Sequence, residues 1–341
     1  MKKKTALLSG LLLAAALAWA GYRVWRAPSI PVPITPEHRA RVMSQPVLYA
    51  KNYDFDPASA MESRIGPPPP FLLDWLKKND GRADYRPYTP TAAERKTLAG
   101  WLEQLPSGMK NVLRRRLIGI YLVENFLGNG LSNLVLGDGP EEYYAWVVLN
   151  TEGFSRTLSG TLTGREASAF MGGGVSVECG GREPAGIFYA LTHEITHAYD
   201  YVAGITPYVE PEWYELLSGA PPWPEPGWEV WRGYRTPLPE HDFAARKKLG
   251  FYGMGGGPKL KTSEAASVYG SLADSPFVSL YGSQNWAEDA AEMMVYAATR
   301  RLTGSSCRVK YREPSGRTAF FSPGGEASAR AEALYLRLSG E

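Results

Sequence analysis

Two histidines four positions apart, with a glutamate directly after the first, sit in the stretch LTHEITHAYDY from Leu191 to Tyr201. In an α-helix, positions i and i+4 share a face, so His193 and His197 can aim both imidazoles at one point. Leu191, Ile195, Ala198 and Tyr199 give the same helix an apolar surface. A solvated His-Glu-His edge on a surface helix is therefore disfavoured, and a buried one needs partners for its polar groups. The fold must bury this helix and bring something to meet those three side chains.

Two imidazoles at this spacing suit zinc, which takes three protein ligands in a catalytic site and leaves one position open. Glu194, next to the first ligand, is placed to act on a zinc-activated water as general base and then as acid towards a leaving amine. The third ligand must come from elsewhere. A histidine three residues beyond a glycine is ruled out, because Asp200 and Ala203 occupy those positions, and no GTxD motif follows the helix. Glu210, Glu212 and Glu215 lie in a stretch broken by proline. NWAEDAAEMM offers Glu288, Asp289 and Glu292 on a second helical segment. Glu288 and Glu292 are again i and i+4, so one can bind metal while the other supports a ligand histidine.

HEITH followed by a glutamate-bearing helix resembles the gluzincin metallopeptidases, and within them the branch of anthrax lethal factor and the Pro-Pro endopeptidases. The resemblance implies Glu288 as third ligand and Glu292 as the carboxylate behind a ligand histidine. It also implies an oxyanion-stabilising role for Tyr281, which lies seven residues before Glu288 in SLYGSQNWAE. It covers about 187–201 and 278–296. The 91 positions from His197 to Glu288 exceed the usual spacing, so the intervening Trp/Pro/Gly-rich insertion is expected to form a lid or specificity wall.

Elsewhere, PYTPTAAERKTLAGWLEQLP predicts a helix with Thr91 and Glu94 as a capping box. A short helix is expected near 36–43, a helix or helix-to-strand unit over 110–126, and a buried strand at AWVVLN. TLSGTLTGREASAF and GGGVSVEC are expected to pair as strands, the second being a candidate edge for a peptide substrate. A helix is predicted from Glu240 to Leu249, with further helices over NWAEDAAEMMVYAATRRL and EASARAEALYLRLS. His241 and His38 need no role beyond the surface and the tether.

MKKK and the uncharged run Thr5 to Tyr22 predict either a cleaved signal peptide or an N-terminal membrane anchor. Of 37 basic side chains, three are Lys2 to Lys4; the remaining 34 nearly balance 35 acidic ones, which gives no electrostatic reason for a nucleic-acid partner. Cys179 and Cys307 can form one disulfide in an oxidising compartment.

These readings combine into an α+β, zincin-like chain with a mixed sheet. Residues 1–26 form the signal or anchor, 27–89 a proline-rich tether and surface wrap, and 90–341 the catalytic domain with an insertion at 204–276. The expected protein is exported, periplasmic or extracellular, or held at the inner membrane through 5–22, with one zinc per chain and a peptide or protein substrate. The competing readings are a non-catalytic envelope protein with a structural zinc and a zinc hydrolase of a non-peptide substrate.

Overall fold

The computed structural model of the chain describes residues 33–253 and 256–340. The expected signal or anchor at 1–26, with its run at 5–22, lies outside the described residues. Among the described residues, no helix is long and apolar enough to cross a membrane.

The structure is α+β around a five-stranded mixed sheet. Short β1 (Ile65–Gly66) and β2 (Arg86–Pro87) pair with β3 (Leu117–Glu124), so the segment before residue 90 contributes strands as well as a wrap. β4 (Gly130–Leu136) lies antiparallel to β5 (Tyr143–Asn150), which runs parallel to β3, leaving β4 as an edge. The helices in chain order begin with α1 (Pro36–Met43), α2 (Pro70–Asp80), α3 (Ala92–Leu102), α4 (Ser107–Arg116) and α5 (Leu158–Ala167). They continue with α6 (Ile187–Ala203), α7 (Pro211–Ser218), α8 (Ala265–Ala273), α9 (Trp286–Thr303) and α10 (Gly325–Ser339).

Alternation along β5 sets the layers. Ala145, Val147 and Leu149 pack with Ile187, Ala190, Leu191 and Ile195 of α6. Trp146 and Val148 pack on the other side with Leu48, Leu72, Leu76 and Tyr85. Both faces are covered, which is why AWVVLN reads as one apolar run. The expected cap of α3 is present: Thr91 Oγ1 accepts from Glu94 N at 3.2 Å, and Glu94 returns the bond to Thr91 N at 2.8 Å.

The structure corrects several local readings. TLSGTLTGREASAF is mostly α5, not a strand. Thr157 caps it, accepting from Gly160 N at 3.0 Å, and Leu158, Leu162, Arg165 and Glu166 are buried at helical spacing. Its threonines and glycines hide that period. The predicted helix at 240–249 is two 3₁₀ turns, Pro239–His241 and Ala244–Lys248, separated by an extended Phe243. The insertion contains α7 and α8, of eight and nine residues, too short for a period to stand out.

GGGVSVEC supplies β7 (Ser176–Cys179), the edge of a separate sheet with β11 (Cys307–Arg312) and β12 (Thr318–Phe321). Cys179 stands directly opposite Cys307, and the two are disulfide-bonded. The edge strand lying along α6, beside β5, is instead β4, where no element was expected. One short pairing ties the insertion to the rest of the chain, β6 (Phe170–Met171) with β10 (Leu260–Lys261), and a second, β8 (Trp231–Gly233) with β9 (Thr236–Pro237), lies within it.

Candidate metal centre

α6 passes between the sheet and α9, and its His193, Glu194 and His197 are all buried. Its apolar residues explain that depth: Leu191, Ile195 and Ala198 anchor it on the sheet side. Asn285 starts α9 by accepting from Glu288 N at 3.0 Å, which puts Glu288 in the first turn and Glu292 one turn later.

Three ligand atoms converge. His193 Nε2 lies 3.2 Å from His197 Nε2 and 3.1 Å from Glu288 Oε2, and His197 Nε2 lies 3.6 Å from that oxygen. A tetrahedral ion with ligands at about 2.0–2.1 Å has ligand–ligand edges of about 3.3–3.4 Å. The triangle therefore has the size that a small divalent cation requires. Glu288 Oε2 is buried and, among the described residues, makes no hydrogen bond. Close approach without a hydrogen bond is what results when lone pairs are aimed at a common centre rather than at each other.

The charges point the same way. Glu166, Glu194, Glu210, Glu288 and Glu292 gather around this site against the guanidinium groups of Arg165 and Arg235. Each unpaired buried carboxylate costs several kcal/mol, on the order estimated for desolvated ions. A divalent cation offsets that excess. Burial opposes protonation of His193, but the carboxylates of Glu288 and Glu292 outweigh it and lift the imidazole to about 10. Burial would raise Glu288 as well, yet the two histidines hold its carboxyl far below the usual range. Two imidazoles and a carboxylate form a donor set that fits a divalent metal of the zinc type.

Behind His193 lies a buried network that fixes the ring. Glu292 Oε1 is 3.2 Å from His193 Nδ1 and accepts from the Tyr189 hydroxyl at 3.1 Å. Its Oε2 accepts from Ser279 Oγ at 2.7 Å and pairs with Arg165. Arg165 also bonds Glu166 at 2.9 Å, and Glu166 accepts from the Tyr269 hydroxyl at 2.7 Å. Burial raises the Glu292 carboxyl, but Arg165 and His193 pull it down to about 2. The carboxylate is thus held ionised, the state in which it can accept a proton from the back of a ligand imidazole.

Glu194 lies on the other side, against β4. Ser132 Oγ donates to Glu194 Oε2 at 3.0 Å. A Cβ on Gly130 would lie 2.7 Å from Glu194 Cγ and 2.9 Å from Val148 O, so only glycine lets this strand pass so close. The Tyr281 ring is 5.7 Å from the His193 ring, and its hydroxyl feels the charges of Glu288 and Glu194.

The structure thus brings together His193, Glu194, His197, Tyr281, Glu288 and Glu292. It leaves Glu212 and Glu215 outside the triangle: Glu212 pairs with His38 at 3.0 Å, and Glu215 takes the Ile34 amide, so both hold the N-terminal strap. His241 is half-buried and also lies outside the triangle. Arg165, Tyr189, Ser279, Ser132 and Gly130 had no sequence expectation. The one signal available was the Arg165-Glu166 pair inside an otherwise uncharged run. Comparison with family models, curated proteins and solved structures finds no match to this chain.

Proposed function

We propose that the chain is an exported, zinc-dependent metallopeptidase of the gluzincin type with a zincin-like catalytic domain. The observation that carries this reading is the His193–His197–Glu288 triangle, with Glu194 beside it and β4 running along the same helix. His193, His197 and Glu288 would hold the ion. When bound, zinc supplies Lewis acidity and lowers the pKa of a coordinated water. Glu194 accepts a proton from the attacking water as the oxygen adds to the peptide carbonyl carbon. As the C–N bond breaks, Glu194 returns the proton to the leaving amine. Tyr281 donates its hydroxyl to the oxygen of the tetrahedral intermediate. Glu292 keeps the His193 ring in one orientation throughout.

A structural zinc would be closed by a fourth protein ligand. Among the described residues the donor group has three members, and both cysteines are consumed by their disulfide, which supports an open position. The same disulfide supports export to an oxidising compartment. The test is metal analysis of the full chain together with cleavage of a peptide library. About one zinc per chain and peptide hydrolysis are expected, with Glu194→Gln keeping the metal and losing activity by several orders of magnitude. Absence of metal, or full activity in Glu194→Gln, would overturn the reading.

A further inference from the structure

A cavity of about 330 Å³ opens beside the start of β4. Asn129 lines it and directly precedes Gly130, the residue pressed against Glu194. Asn129 Nδ2 donates to the Tyr252 hydroxyl at 2.8 Å. The Tyr252 ring lies 6.2 Å from that of Tyr281, which lies 5.7 Å from His193. Cavity and metal centre therefore share a wall. β4 is the last strand of its sheet, and the isolated bridge from Tyr49 covers its far end at Leu136. The start of β4, at Asn129 and Gly130, thus links the Glu194 contact to this cavity.

Two of its lining residues have left-handed backbones, Asn125 at φ 61° and Tyr252 at φ 55°. Asparagine tolerates that conformation, but a bulky aromatic residue is an outlier there. Such strain persists where surroundings over-determine it, commonly at binding sites. Tyr252 is held at both ends, its N–H donating to Ser168 Oγ at 3.0 Å and its hydroxyl accepting from Asn129.

The polar groups select the occupant. At the rim, Arg82 holds Asp84 through two bonds of 2.8 and 2.7 Å, and Arg156 pairs with Glu152, so the charges are already matched. The floor is amide. Asn125 Nδ2 donates to Asp84 O at 3.0 Å, and Asn150 Nδ2 donates to Phe126 O at 2.7 Å and Gly128 O at 2.9 Å. With Asn129 Nδ2 on Tyr252, all three amide nitrogens are turned to the protein. Asn125 and Asn129 each keep a side-chain carbonyl as acceptor and a second N–H as donor.

We propose that this cavity is a specificity subsite of the same cleft, taking an uncharged side chain that donates hydrogen bonds: Asn, Gln, Ser or Thr of a peptide substrate. This rests on the peptidase reading. A charged side chain would meet rim charges already paired with one another, and an apolar one would leave the asparagine carbonyls without donors.

The experiment uses the full chain and a position-scanned peptide library. One position within three residues of the scissile bond should favour Asn, Gln, Ser or Thr over Glu, Lys and Leu by about 10–100-fold in kcat/KM. Asn125→Gly combined with Asn129→Ala should cut that ratio at least tenfold. No preference, or one that survives in the double variant, overturns the proposal. Asn125→Asp keeps size and backbone and should turn the preference towards Lys; an unchanged preference also overturns it. Failure of the peptidase reading is separable. Glu194→Gln protein is titrated calorimetrically with a glutamine peptide and its alanine counterpart. Tighter binding of the first sustains the cavity assignment even without cleavage, and equal binding defeats it. Binding of an N-acetylglucosamine oligosaccharide but of neither peptide would place a sugar there instead, and would also defeat it.

Discussion

Glu292 and His193 meet edge to edge, Oε1 at 3.2 Å from Nδ1, and Arg165 holds the other oxygen of the same carboxylate. The proposed metal ligand His193 is thereby linked to a guanidinium on a different helix. Glu288→Ala is expected to abolish metal binding, whereas Glu292→Ala should weaken it about 10–100-fold. Arg165→Met strands two buried carboxylates and should destabilise the fold by about 3–5 kcal/mol. Adding Glu166→Gln restores the charge balance, so stability should recover while metal affinity stays low. Chelator competition and thermal melts check this. Recovery of both quantities would reduce Arg165 to a counter-charge.

Gly130→Ala tests the contact between β4 and the proposed base. The new Cβ meets Glu194 Cγ at 2.7 Å on one side and the fixed Val148 carbonyl at 2.9 Å on the other. The side chain must yield before the strand does. Metal content should be retained, stability should fall by about 1–3 kcal/mol, and kcat should drop with the displaced carboxylate. Parallel metal analysis and steady-state kinetics check it; an unchanged kcat would mean that Glu194 has room to spare.

The donor triangle was legible because its residues sit on two long helices, where a four-residue spacing translates directly into geometry. His193, His197, Glu288 and Glu292 meet as their i, i+4 positions require. The supporting residues were not legible for the same reason in reverse. Arg165 reaches Glu292 across 127 positions, and nothing local in TLTGREASAF announces its partner. β4 is hard to read because GLSNLVL is short and buries the polar Ser132 and Asn133, which weakens its apolar signal. Glu212 and Glu215, much nearer in sequence, are spent on the strap, while the distant Glu288 reaches the histidines.

The Cys179–Cys307 bridge joins β7, which precedes α6, to β11, which follows α9. It closes a loop of 128 positions containing every proposed metal ligand. Reduction, or Cys179→Ser with Cys307→Ser, should lower stability by about 2–4 kcal/mol. Thiol titration of protein kept from reductant should find no free cysteine. Two reactive thiols in that sample would contradict the bridge.

Tyr281 separates a packing role from a chemical one. Its ring lies 5.7 Å from His193, 5.0 Å from Phe251 and 6.2 Å from Tyr252. Tyr281→Phe keeps the ring and removes only the hydroxyl, so these contacts survive, and zinc content and melting temperature should barely move. The hydroxyl is proposed to bond an oxygen whose charge develops in the transition state, so its loss should appear in kcat rather than KM. By comparison with a lost oxyanion-hole donor, the expected fall is about 10²–10³-fold. Tyr252→Phe, whose hydroxyl faces Asn129, should instead shift the choice among peptides, because that phenol borders the neighbouring cavity. If Tyr281→Phe leaves kcat intact while Tyr252→Phe lowers it by that factor, the oxyanion donor must be reassigned to the insertion.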